Sequence, residues 1–306
     1  MRFWITVYGE PLPIDGSETR LRRIGNLSNY ISRTGHEVHW FAVSFDHYKK
    51  TQRITEDKEI LINPNYHLHL SYVPGYKNNI SFNRLIHHII AQYKIKRLLN
   101  TKEKPDVILV ATQPIGLTSM VVKFANDNDI PVVIDIRDLW PEIYIDVVPE
   151  KLRNLIKPFI TLSRWQLATA FKGASAIIGI SKAFVDYGLN LAGRQKSELD
   201  RVVHHGFPDF NDDISSESFE KYWGKYGINK SDFIVTFIGD FGKQFEFSEI
   251  VEASNQLVNN EKIKFVLCGL GEKLDLLKKQ CGNNVIFPGW IERDQIISLL
   301  RYSNIG

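Results

Sequence analysis

The densest chemistry in this chain lies in one octapeptide, Asp135-Ile-Arg-Asp-Leu-Trp-Pro-Glu142, which ends a short apolar run. Asp135, Arg137, Asp138 and Glu142 at the carboxyl end of a strand would sit where an open sheet places its cleft residues, able to polarise a substrate or exchange a proton. The same residues also suit a plainer role, with Arg137 and Asp138 pairing with neighbours or capping a helix. Backbone chemistry suggests a second site. Residues 234–239, 265–269 and 285–289 are apolar runs that each end in glycine where a helical pattern begins, which is how a parallel sheet brings amides up to a phosphate or nucleotide. Near the amino terminus only Gly9 and Gly16 follow the first apolar run, so the GxGxxG fingerprint of a nicotinamide site is absent. Gly16-Ser17-Glu18 is expected to open the first helix, where its amides could hold an anion with Ser17 as cap; an ordinary helix start in a long loop fits equally. Among the histidines, His36 and His39 flank a strand start and His67 and His69 alternate along another strand. An alternating strand pair can chelate a metal, but no carboxylate or cysteine is found at a ligand spacing, and no metal site is expected.

These groups need elements to position them. Strands are expected at 3–8, 38–43, 66–72, 106–111, 131–136, 176–180 and 201–204, with helical patterns between most of them. The first helix carries Leu21, Ile24, Leu27 and Ile31 on one face and stops at Gly35. Such alternation predicts an α/β fold built on doubly wound parallel sheets. A polar stretch, 211–217, reads as a linker, and a second sheet opens at Phe233 with helices from about Phe247, Glu272 and Arg293. The boundaries expected are 1–205 for the first Rossmann-like domain and 206–306 for the second. The latter reads as incomplete, since a further strand only begins at 304–306, and a cleft between the two halves is the default binding site. A helix over 76–100 mixes apolar residues with Arg84, Lys94, Lys96 and Arg97, which suits packing on the sheet or contact with anionic lipid. In 151–171 the apolar positions Leu152, Leu155, Ile156, Phe159, Ile160 and Leu167 are expected mostly in the core.

Bulk composition excludes several classes. With 306 residues, 43% hydrophobic and 24% charged, the chain is long enough for two cores. Its net charge of +3, from 38 basic and 35 acidic residues, lacks the basic excess of a nucleic-acid binder. Cys268 and Cys281 form no CxxC pair and no secretory leader precedes them, so a reducing cytoplasmic setting is expected. No apolar stretch reaches the roughly 20 residues that span a bilayer, which leaves only peripheral membrane contact, possible on the inner face of the plasma membrane.

In their order, the motifs resemble a family 4 glycosyltransferase of the GT-B fold, close to the bacterial branch that builds capsular polysaccharide and O-antigen. The resemblance spans essentially the whole chain. It rests on the Gly16-Ser17 loop, Thr34-Gly-His-Glu-Val38, Asp135 to Glu142, Ile178-Gly-Ile-Ser-Lys-Ala-Phe184, Val235-Thr-Phe-Ile-Gly239, Gly269-Leu-Gly271 and Val285-Ile-Phe-Pro-Gly-Trp290. It implies transfer of a sugar, with retained anomeric configuration, from a nucleotide-sugar co-substrate of the UDP-sugar kind to a glycan or lipid-linked oligosaccharide acceptor, without a bound metal or other cofactor. Gly16 and Ser17 would lie near the donor diphosphate, Gly239 and Lys243 would approach it from the donor domain, and Gly269, Gly271, Trp290 and Ile291 would border the base. Arg137, Asp138 and Glu142 would stand on the acceptor side.

This chain departs from the family where an arginine and a lysine commonly follow the first donor-domain strand, here Asp240 and Phe245, and Arg137 replaces a common histidine. The family's paired glutamates would fall after residue 306. A binding module or inactive truncated fragment, and a nucleotide-sugar 2-epimerase on the same fold, are the competing functional classes.

Overall fold

A computed structural model describes residues 1–16, 19–79, 81–143, 145, 148, 150–206, 216–242 and 245–306. The chain divides into two compact units, Met1–Gly206 and Phe207–Gly306.

In the first unit, β1 (Arg2–Thr6), β2 (Glu37–Val43), β6 (Tyr66–Ser71), β7 (Val107–Ala111), β8 (Val132–Ile136), β9 (Ala176–Gly179) and β10 (Arg201–Val202) run parallel. The sheet order is β10-β9-β8-β7-β1-β2-β6-β5, closed at one edge by β5 (Lys58–Asn63), which pairs antiparallel with β6. That edge strand, Lys58-Glu-Ile-Leu-Ile-Asn63 with its apolar residues adjacent and not alternating, and the small β3–β4 hairpin (Phe45–Asp46, Thr51–Gln52) were not expected from the sequence. From β1 the chain winds outward through α1 (Arg23–Arg33) to β2, and later returns to β7 on the other side of β1. Because such crossovers are right-handed, reversing direction switches the helices to the other face. Accordingly α1 covers one face, over Ile5, Val7, Val38, Trp40 and Leu68. The other face, with Trp4, Phe41, Ile108, Val110, Ile134 and Ile177, lies under α2 (Phe82–Thr101), α3 (Ile115–Asn126), α4 (Arg153–Gly173) and α5 (Lys182–Ala192). The topological switch therefore falls between β1 and β7, and a crevice outside the carboxyl ends of these strands is where such sheets bind ligands.

The second unit repeats the plan on three parallel strands, β11 (Phe233–Ile238), β12 (Ile263–Cys268) and β13 (Val285–Gly289), in the order β11-β12-β13. Phe219 and Trp223 of α6 (Ser216–Trp223) and Leu299 of α9 (Arg293–Tyr302) bury one face with Ile234 and Val266. The other face packs Phe265 and Leu267 against Phe247 and against Leu277 of α8 (Leu274–Gln280), with Ile250 and Val251 of α7 (Ser248–Gln256) beside them. Ile305 makes a parallel bridge to Val235, on the side of β11 away from β12. The linker expected at 211–217 lies almost wholly outside the described residues.

Two helical expectations need correction. Leu155 and Phe159 of α4 are 75% and 53% exposed and do not belong to the core, whereas Ile160 and Leu167, expected with them, do. Likewise α1 begins at Arg23, after an extended Arg22, and not at the Gly16-Ser17 turn. The reason is visible at its N-terminus: the Glu10 carboxylate, 6% exposed, accepts from the Ile24 amide at 3.0 Å and fills the positive end of the helix from within the chain.

Candidate functional site

At the carboxyl ends of β1 and β8 four charged side chains converge. Asp135, the fourth residue of β8, is fully buried and receives a bidentate pair from Arg23, Nε to Oδ2 at 2.8 Å and Nη2 to Oδ1 at 3.0 Å. Arg137 donates from Nε to Asp135 Oδ2 at 3.0 Å and from Nη1 to Glu10 Oε1. Arg23 also reaches past the sheet, giving Nη1 to the carbonyls of Val203 at 2.7 Å and His204 at 3.1 Å. Two carboxylates and two guanidiniums thus close a network in which each charge is met, the condition for keeping charges out of water. It ties the loop after β1, the start of α1, the end of β8 and the end of β10 to one another. A second ion pair steadies the same loop: Arg53 binds Asp15 at 2.5 and 2.7 Å and Asp46 at 3.1 Å, while the Leu12 amide donates to Asp15 at 2.8 Å. Burial would push the Asp15 carboxyl up, but these donors outweigh it and hold it below its ordinary value.

The structure separates the residues that the octapeptide places together in sequence. Arg137 sits inside the network, with Nη2 buried and without a hydrogen-bond partner among the described residues. Asp138 is exposed, and no hydrogen bond or ion pair to it is seen among the described residues. Glu142 is turned to the helices: Tyr187 of α5 donates to its Oε2 at 2.5 Å and Arg164 of α4 lies 3.3 Å from Oε1. Burial, and then the Glu142 carboxylate, push the Tyr187 phenol well above its ordinary range, so it remains a donor. Glu142 is therefore anchored apart from Arg137. Glu10 and Arg23, which complete the network, were missed by sequence reasoning. A glutamate directly after the glycine that ends the first apolar run was the available signal.

In the second unit the glycine turns meet backbone to backbone. At Gly269, φ is +136° and an added Cβ would stand 1.7 Å from the Gly239 carbonyl oxygen; at Gly271, φ is +155° and a Cβ would lie 2.5 Å from the Phe241 backbone. Only glycine fits there. The Gly239 amide donates to Cys268 O at 3.0 Å and the Gly269 amide to Gly289 O at 2.8 Å, so these two amides are already engaged. Trp290 is 72% exposed, whereas Ile291 is 6% exposed and belongs to the core, leaving only its backbone to border a ligand. Gly16, at φ +119°, is exposed in the loop before α1. Ser17 and Lys243 lie outside the described residues.

The strand histidines also differ from expectation, for carboxylates do accompany them. Glu37 and Glu59 stand beside His39, His67 and His69 at the amino ends of β2 and β6. Glu37 precedes His39 by two residues on the same strand, so both project from one face, and Glu59 arrives through the unforeseen strand β5.

Residues 21–208 match the family described as Glycosyltransferase Family 4, and residues 218–305 match Glycosyl transferases group 1. No curated protein compared with the chain matches it. Among solved structures, Anabaena Alr3699/HepE in complex with UDP is similar at a TM-score of 0.56 and 17% identity, over 99% of this chain and 72% of that one. The same protein in complex with UDP-glucose gives 0.52 and 17%, again over 99% and 72%. The lipopolysaccharide outer core galactosyltransferase WaaB, apo form, gives 0.51 and 12%, over 99% of this chain and 72% of that one. At these identities the likeness establishes the fold alone, α/β with parallel-sheet Rossmann-like domains like those of the GT-B glycosyltransferases.

Proposed function

We propose, since this chain belongs to Glycosyltransferase Family 4, that it moves a hexose with retained anomeric configuration from a UDP-sugar to a glycan or lipid-linked acceptor in cell-surface polysaccharide synthesis. The family match over residues 21–208, joined to a second glycosyltransferase match over 218–305, carries this reading. Alr3699/HepE, similar in fold, has been solved with UDP and with UDP-glucose, which favours UDP as the nucleotide here.

In this reading Met1–Gly206 is the acceptor domain and Phe207–Gly306 the donor domain. The Glu10–Arg137–Asp135–Arg23 network is the brace of the acceptor side, holding the loops after β1 and β8 in fixed register. Asp138, exposed and next to that brace, is the group presented to an acceptor hydroxyl. In the donor domain Lys243, Gly271 and Trp290 serve the donor, where amides and a lysine stabilise the charge that develops as the diphosphate departs. No protein nucleophile is required when the leaving phosphate itself takes the acceptor proton on the same face.

A peripheral membrane contact is consistent with α4, which exposes Leu155, Phe159, Leu162 and Trp165 on a helix that also carries Arg153, Lys157 and Arg164. Among the described residues no helix is long and apolar enough to cross a membrane.

The test is incubation of the chain with a panel of radiolabelled UDP-sugars and lipid-linked oligosaccharide, with the product's anomeric configuration read by NMR. Retained configuration in a new glycosidic bond supports the proposal, and inverted configuration refutes the retaining step. Donor binding without transfer would make the chain a binding module. Release of an altered sugar with no acceptor present would make it an epimerase.

A further inference from the structure

Glu37, His39 and His67 gather on one face of the first sheet, at the amino ends of β2 and β6. Glu37 is the first residue of its strand and His67 the second of its own, so the cluster lies opposite the carboxyl-end crevice, roughly 20 Å away along a strand of this length. One ligand atom from each of the three lies within 4.8 Å of the others. Donors around a tetrahedral zinc stand about 3.3 Å apart, so closing the set requires His67 to turn out of its near-parallel stack on His39, where the ring centroids are 4.6 Å apart and the planes differ by 6°.

The outer contacts favour an ion there. His67 engages Glu59 Oε1 through Nδ1 at 3.0 Å, which leaves Nε2 as its ligand atom. Arg2 Nε donates to Glu37 Oε2 at 2.8 Å and leaves Oε1 toward His39. His39 Nε2 lies 2.8 Å from that Oε1, its Nδ1 lies 2.8 Å from His69 Nε2, and His69 Nδ1 lies 3.5 Å from Glu59 Oε2. Lys102 in turn holds Glu59 at 2.7 Å.

Three close polar contacts run from Glu37 through His39 and His69 to Glu59. A divalent ion would sit between Glu37 Oε1 and His39 Nε2, which face each other at 2.8 Å. His39 then gives its Nδ1 proton to His69, His69 gives its own toward Glu59, and every ligand imidazole is oriented by an outer partner, as metal-bound histidines usually are.

We propose that Glu37, His39 and His67 form a binding site for a zinc-type divalent ion, with a fourth position open to water. Glu37 and His67 side chains are 33% and 24% exposed, which gives an entry path. Two imidazoles and a carboxylate match zinc better than calcium or magnesium, which prefer all-oxygen shells. Being remote from the crevice, the ion would lock β2 and β6 together and take no part in sugar transfer.

The experiment uses chelator-treated full chain titrated with zinc by calorimetry, followed by thermal unfolding with and without zinc. Expected are one ion per chain, a raised unfolding midpoint, and affinity lowered more than about 100-fold in Glu37→Gln and in His67→Gln. The exposed-site control His205→Gln should bind as the parent does. Should a variant fail to fold, X-ray absorption of the zinc-loaded parent chain decides: two imidazoles with oxygen ligands support the site. Absence of stoichiometric binding, unchanged affinity in both folded variants, or a shell containing sulfur from Cys268 or Cys281 would overturn it.

Discussion

Replacing Asp135 by asparagine should unhinge the first unit more than any single change at its surface. Asp135 is fully buried and meets Arg23, whose side chain is 9% exposed, through two hydrogen bonds, and Arg137 through a third. Removing one member of a buried pair typically costs about 3–5 kcal/mol, because the remaining charge stays desolvated. Two features place Asp135→Asn at the low end, about 3 kcal/mol: asparagine keeps one acceptor oxygen, and Arg137 keeps Glu10. Arg23 retains only the Val203 and His204 carbonyls among the described residues. In a unit of 206 residues, about 3 kcal/mol corresponds to a midpoint lower by roughly 6–12 °C. Scanning calorimetry of parent, Asp135→Asn, Arg23→Met and the double variant would measure it. The two substitutions should be less than additive by at least about 1 kcal/mol, since the double variant no longer buries the unpaired guanidinium of Arg23. A loss under about 1 kcal/mol, or additive energies, would show that the network is not the brace inferred from its geometry.

Gly269→Ala should destabilise the second unit by about 3 kcal/mol or more, since its Cβ would stand 1.7 Å from the Gly239 carbonyl oxygen at φ +136°; a separate urea transition for that unit would report it. Asp138→Ala should leave stability within about 0.5 kcal/mol yet slow sugar transfer by about tenfold or more, measured as turnover at saturating donor. Arg194 and the Ser197 and Ile177 amides overcome the burial of Asp200 and hold its carboxyl far below the ordinary value. Its stabilising contribution is therefore complete above the unfolded value near 4 and is lost as pH falls toward the folded one. The stability gap between parent and Asp200→Asn should narrow from about pH 5 downward, followed by urea denaturation at stepped pH.

Much of this fold was legible in the residues. Short apolar runs ending in glycine marked the strands of the second unit, because a buried parallel strand must be apolar on both faces and its turn must admit a close backbone approach. Gly269 and Gly271 are glycines for that reason, and their partner is the backbone after β11. What could not be read was which charges meet. Glu10, Arg23, Asp135 and Arg137 come together through contacts up to 127 positions apart in sequence, set by β1 and β8 lying on either side of β7. Adjacent Asp138 and nearby Glu142 were sent elsewhere by the turn of the loop. Glu59 reached the histidines through an edge strand, Lys58-Glu-Ile-Leu-Ile-Asn63, whose three adjacent apolar residues show no period-two alternation to detect. Local pattern sets which residues are strand and which are turn, since burial and backbone strain act over a few positions. The pairing of distant charges follows from strand order alone, and that order exists only once the sheet has formed.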